Sequence, residues 1–168
     1  WASYEAAADA QPATRIADER AGGDMLYSSG TTGRPKGVFV PPDVTEIDAA
    51  GPMTDILTKL YGLNAETVYL SPAPLYHAAP LRYCMAVQRL GGTVVMMEHF
   101  DPEDYLRLIE TYRITHSQLV PTMFVRMLKL PEEVRRRYDL SSLRFAIHAA
   151  APCPVPVKRQ MIEWWGPV

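Results

Sequence analysis

The chain has 168 residues, of which 48% are apolar and 21% charged, and its formal net charge is −2. That length suits one domain with a real core rather than two, and the near-neutral balance gives no reason to expect nucleic acid or an anionic membrane as partner. No apolar run approaches the roughly 20 residues that span a bilayer. Cys84 and Cys153 are too isolated for a disulfide framework or a CxxC metal site, so a reducing, cytoplasmic setting is expected. The sequence starts at Trp1 without a signal peptide and stops at Val168, just past Trp164 and Trp165; both ends read as cut from something longer.

In chain order, Tyr4 to Ala10 is Ala/Glu-rich and predicts one or two turns of helix. Gln11 to Gly23 reads as a connector, punctuated by Pro12 and Gly22-Gly23. Met25 to Tyr27 reads as the end of a buried strand that runs into an exposed loop. After Val38-Phe39-Val40, Pro41-Pro42 forbids a continuing central strand. Met53, Ile56, Leu57, Leu60 and Tyr61 recur at helical spacing and predict one buried helix face, closed by Gly62. Thr67 to Leu70 is a short apolar strand, and a helix follows from about Ala78 to Leu90. Thr93 to Met97 is the clearest candidate for a buried strand.

The next helix is well signposted: Asp101 is a good N-cap, Pro102 fits the first helical position, and Glu103 and Asp104 complement the helix dipole. Tyr105, Leu108, Ile109 and Tyr112 make its apolar stripe. Ile114 to Val120 is a strand stopped by Pro121. A further helix carries Met123, Phe124, Met127 and Leu128; Arg144 to His148 is the last strand, and Val157, Met161, Trp164 and Trp165 mark the last helix. Met85, Met123 and Met127, at helical spacing, are expected in the core rather than along a flexible tunnel. Strands alternating with helices, without an Asn-Gly hairpin signal, predict an α/β fold with a mainly parallel sheet flanked by helices. Ligands of such sheets sit beyond the carboxyl ends of the strands, where the stretches from Ser28, Ser71 and His148 fall.

The first stretch, Ser28-Ser29-Gly30-Thr31-Thr32-Gly33-Arg34-Pro35-Lys36-Gly37, combines hydroxyls, glycines and one lysine. Glycines let the backbone turn sharply and approach a ligand closely. Consecutive N–H groups and hydroxyls facing one volume, with the Lys36 charge beside them, suit phosphate oxygens. The register of a Walker A loop fails, because Pro35 lies five residues after Gly30 and Gly37 follows Lys36. The second stretch, Ser71 to Leu81, is a Pro-rich turn in which His77 on its own would pack or cap a helix. The third, His148-Ala149-Ala150-Ala151-Pro152, offers a thin wall of small side chains on which an adenine ring can lie. Arg135-Arg136-Arg137 beside Glu132 and Glu133 reads as a solvated helix face. The four histidines lack zinc-ligand spacing, and Ser28 and Ser29 lack the nucleophile-elbow pattern of hydrolases.

The first stretch closely resembles the phosphate loop of the adenylate-forming superfamily, which comprises acyl- and aryl-CoA synthetases, peptide-synthetase adenylation domains and beetle luciferases. Pro74-Leu75-Tyr76-His77 resembles that superfamily's next motif, and Ala149 to Pro152 its adenine segment, with Ala149 where glycine is common. Thr115 to Met123 is similar to the segment feeding the pocket wall. Pro41-Pro42 departs from the Thr-His or Ser-His pair that relatives often carry nearby.

The resemblance implies ATP phosphates held by Ser28, Ser29, Gly30, Thr31, Thr32, Gly33 and Lys36, with Thr31 and Thr32 helping to orient phosphate or Mg²⁺. It implies adenine on Ala149, Ala150, Ala151 and Pro152, and His77 beside the acyl carboxylate. Peptide-synthetase domains put an Asp near His77 to hold an amino group. Here Tyr76 to Tyr83 contains no acid, so the expected substrate is a carboxylic acid without an α-amine. Coenzyme A is the expected acceptor, as in a fatty-acid–CoA ligase; an aryl-acid or carrier-protein-loading adenylation enzyme and a non-catalytic nucleotide-binding module are the alternative readings. By resemblance, residues 1–23 connect from a preceding subdomain and 24–168 form the central part of the large N-terminal domain. The Mg²⁺-serving Glu segment and the domain with the catalytic lysine would lie past Val168. No catalytic residue is expected within the chain, and it is expected to be inactive alone.

Overall fold

A computed structural model describes residues 2–28, 33–39, 41, 46–47 and 51–168. The chain divides into two units, residues 1–50 and 51–168.

The first unit opens with α1 (Tyr4–Asp9), whose N-cap Ser3 accepts a hydrogen bond from the Ala6 amide. Two short strands follow, β1 (Leu26–Ser28) and β2 (Lys36–Val38), paired antiparallel with Ser28 opposite Lys36. The stretch from Ser28 to Gly37 therefore joins two antiparallel strands, which the turn composition had not signalled. The expected burial of Met25 to Tyr27 is corrected: Tyr27 is 67% exposed, because a two-stranded ribbon offers no second layer against which to bury it. Met25 and Tyr27 lie instead across Gly37, where a Cβ would come within 2.5 Å of the Met25 methyl.

The second unit holds a four-stranded parallel sheet built from β3 (Val68–Ser71), β4 (Thr93–Met96), β5 (His116–Leu119) and β6 (Phe145–His148), in the order β4-β3-β5-β6. Successive side chains of a strand point to opposite faces. Tyr69 and Leu70 are both fully buried, so each face of β3 is covered. On the Tyr69 side pack Leu57 of α2 (Pro52–Tyr61) and Cys84, Ala86 and Val87 of α3 (Ala78–Arg89). On the Leu70 side pack α4 (Pro102–Tyr112), α5 (Pro121–Leu128) and α7 (Val155–Trp165), through Tyr105, Ile109, Phe124, Met127 and Met161. A short α6 (Glu132–Arg135) follows Pro131. Each large apolar side chain buried this way contributes about 1.5–3 kcal/mol.

Local signals account for several boundaries. Gly62 ends α2 with φ +64°, and Asp101 caps α4 by accepting from the Glu103 and Asp104 amides at 3.0 and 2.8 Å. Pro121 does stop β5, and it also opens α5 at its first turn. Four expectations need correction. β4 is an edge strand with Met96 60% exposed; the strands buried throughout are the central β5 and most of β3. On α2 the buried residues are Thr54 and Leu57, while Met53, Ile56 and Leu60 are exposed. Tyr112, at the end of the α4 stripe, is half exposed. Met123 and Met127 are core as expected, whereas Met85 is exposed. No helix of the described residues is long and apolar enough to cross a membrane.

Candidate functional site

Because its strands are parallel, the sheet presents Ser71, Met96, Leu119 and His148, the last residues of the four strands, along one edge. The chain leaves β3 for α3 on one face and leaves β5 for α5 on the other, so the crevice between these adjacent strands opens at that edge.

The strand pair beneath the crevice is cross-linked by side chains. Thr115 Oγ1 accepts from the Val68 amide at 3.0 Å and lies 3.1 Å from the Val68 carbonyl; Ser117 Oγ donates to the Leu70 carbonyl at 2.8 Å. His116 is 3% exposed. Its Nε2–H donates to the Tyr61 carbonyl at 2.8 Å, its Nδ1 meets Thr115 Oγ1 at 2.8 Å, and its ring stacks on Phe145. A carbonyl only accepts, which places the proton on Nε2. Burial pushes the His116 pKa below the usual histidine range. This histidine pins α2 to the sheet, and the Thr115–Met123 stretch runs along β5 to its carboxyl end and into the first turn of α5.

Ser71 leads into a cleft of about 360 Å³ lined by Ala73, Pro74, Leu75, Met96, Met97 and Glu98. Apart from Glu98 its walls are mainly apolar, which suits a hydrocarbon group. Two residues beyond Leu75, His77 occupies the N-cap position of α3; its side chain makes no cap bond, is exposed, and lies against the Tyr76 ring at 4.4 Å between centroids.

At the far strand, Ala149 continues β6 by donating its amide to the Leu119 carbonyl at 3.2 Å. Ala150, Ala151 and Pro152 then form an exposed turn into α7. Ala150 adopts φ +70°, a left-handed conformation that costs a residue with a Cβ. The strain falls one position after Ala149. His148, just before the turn, accepts from Lys158 Nζ at 3.1 Å and sets its ring edge-on to Phe124. Burial, with the Lys158 charge as a smaller cause, pushes its pKa down. Sequence reasoning missed Lys158: it lies ten residues from His148 on another element, and neither spacing nor composition couples them.

In the first unit, Ser28 and Lys36 are opposite one another and exposed, and Gly33 has φ +78°. Ser29, Gly30, Thr31 and Thr32 lie outside the described residues. In the second unit the structure brings the stretch ending at His77 and the Ala149–Pro152 turn to the same sheet edge.

Residues 3–168 match the family model described as AMP-binding enzyme. The chain is 35% identical over 129 residues to a 4-coumarate–CoA ligase from Petroselinum crispum, covering 76% of this chain and 23% of that protein. It is 33% identical over 144 residues to a medium/long-chain-fatty-acid–CoA ligase from Mycobacterium tuberculosis, covering 86% and 24%. Among solved structures it superposes on an amide bond synthetase from Marinactinospora thermotolerans with TM-score 0.71 and 32% identity, over 84% of this chain and 27% of that one. The chain thus spans about a quarter of the length of the relatives it matches.

Proposed function

Since the chain belongs to the AMP-binding enzyme family, we propose that the protein carrying it is a cytoplasmic acyl-CoA synthetase acting on a fatty or related carboxylic acid. ATP, brought as its Mg²⁺ complex, and coenzyme A are its other substrates. In the first half-reaction a carboxylate oxygen bonds to the α-phosphorus of ATP and the bond to pyrophosphate breaks. In the second, the coenzyme A sulfur bonds to the acyl carbon, loses its proton, and AMP departs. The first step joins two anions, so charge neutralisation and positioning dominate its barrier. Lys36 supplies charge to the β- and γ-phosphates beside Ser28 and the loop from Ser29 to Gly33. Ala149 to Pro152 receives the adenine, and His77 stands beside the acyl carboxylate.

The observation that carries this reading is the gathering at one sheet edge of an apolar cleft, an N-cap histidine whose side chain makes no cap bond, and a side-chain-poor turn. The lack of any acid from Tyr76 to Tyr83 supports a substrate without an amine. Identity to a 4-coumarate–CoA ligase favours one second reading, an aryl-acid ligase. Carboxylate-dependent ATP–pyrophosphate exchange by the full-length protein separates the two. Exchange with fatty acids supports the proposal, exchange with aryl acids alone moves it to the second reading, and ATP binding without exchange for any acid removes the catalytic claim.

A further inference from the structure

We infer that Lys158 is a positioning residue for the nucleotide: by hydrogen bonding His148 it holds the β6–α7 turn in the conformation that presents Ala149 to Pro152. The inference rests on the reading of that turn as the adenine wall and adds a residue to it.

The turn is fastened at its two ends. At its start, the Ala149 amide donates to the Leu119 carbonyl at 3.2 Å and keeps the backbone in line with β5. Between the fastenings sits Ala150 at φ +70°, a conformation an alanine keeps only when its surroundings impose it. At its end, Lys158, one turn into α7, reaches back 3.1 Å to His148 Nε2. Lys158 is itself anchored through its amide to the Pro154 carbonyl at 3.0 Å, so the bond ties the helix to the last residue of β6.

Phe124 of α5 lies edge-on to the His148 ring at 5.9 Å, and Ala146, Met161, Ile162 and Trp165 line the small cavity beside it. From β5 its register partner is Leu119. Among the described residues, Lys158 is the one charged side chain lining this cavity. An ammonium only donates, so His148 must be neutral at Nε2 to accept. A protonated His148 would set two cations against each other, and the turn would lose its second fastening. The fastening is thus present above the histidine range and lost on acidification.

ATP affinity of the full-length protein, measured by titration calorimetry from pH 8 to pH 5.5, tests this with Lys158→Met, Lys158→Arg and Ala151→Leu. Lys158→Met should bind ATP about three- to tenfold more weakly at pH 8, the worth of one hydrogen bond. The ratio of wild-type to variant affinity should then shrink toward one as His148 protonates. Lys158→Arg, which keeps the donor, should recover most of the loss. Taking the ratio removes the titration of ATP and of other groups. A ratio of one throughout overturns the inference. So does a ratio that stays constant with pH, which a merely structural lysine would give. Ala151→Leu isolates the underlying reading. If it binds ATP like wild type, the adenine wall falls and Lys158 with it; if it weakens binding while Lys158→Met does not, only the role of Lys158 falls.

Discussion

Replacing His116 by glutamine should weaken the sheet at neutral pH and remove part of its sensitivity to acid. The side chain makes two polar contacts, to the Tyr61 carbonyl and to Thr115 Oγ1, each at 2.8 Å. Glutamine can keep at most one, and the lost bond costs about 1 kcal/mol. The stack on Phe145, at 5.1 Å between centroids, goes too, for about 0.5–1.5 kcal/mol more. The expected destabilisation at pH 7.5 is therefore about 1.5–2.5 kcal/mol.

The sign of the pH effect follows from the direction of the shift. Burial lowers the folded pKa below the unfolded value of about 6.5, so the unfolded chain takes up the proton first. Stability is full above that value and falls as pH drops through it toward the folded pKa. At pH 5.5 the loss from this one group is bounded at about 1.4 kcal/mol. Hydrogen exchange of the β3 and β5 amides, corrected for intrinsic rates at pH 7.5 and 5.5, reads both quantities locally in the whole protein. Equal acid losses for wild type and His116→Gln would refute the assignment of His116 as a buried neutral pin.

Other perturbations test other links. Asp101→Ala removes a cap that accepts two amides and should cost about 1–2 kcal/mol, seen as faster exchange in the first turn of α4. Ala150→Gly relieves a left-handed alanine but adds backbone freedom to the unfolded chain; a net gain of about 0.5–1 kcal/mol in chemical unfolding is expected. Gly92→Ala puts a Cβ 2.8 Å from the Thr67 carbonyl oxygen and 2.8 Å from Val87, so it should destabilise the β4 edge by about 1–3 kcal/mol, visible as a lowered unfolding midpoint. Lys36→Ala should weaken ATP binding about tenfold or more in calorimetry, as expected for loss of a charge-assisted contact; equal affinity for wild type and variant would remove Lys36 from the clamp.

Where a boundary is set by local chemistry, it was legible. Asp101-Pro102 and Gly62 act through their own backbone and neighbouring amides, and both stand where their residue types predict. Burial was harder to read, because it depends on which neighbour arrives. Thr93 to Met97 is as apolar as a central strand, yet the order β4-β3-β5-β6 leaves it at the edge. The apolar positions of α2 fit one face, but the sheet takes Thr54 and Leu57 and leaves Ile56 and Leu60 outside. The His77 and Ala149–Pro152 stretches were legible because they follow strands directly. The His148–Lys158 bond was not, since it arises only when α7 folds back onto β6.

The pairing of Ser28 with Lys36 also limits how the loop between them can be altered. A hairpin's side chains alternate between two faces, so sliding one strand by a single residue turns every side chain on it over. An insertion between the two residues that leaves this pairing in place lengthens the loop while Lys36 keeps its side of the ribbon. One that is absorbed by a one-residue slip of β2 sends the Lys36 charge to the opposite side with the loop length unchanged. Loop length and lysine direction are thus separable in protein engineering, and the ribbon register is the variable to hold constant.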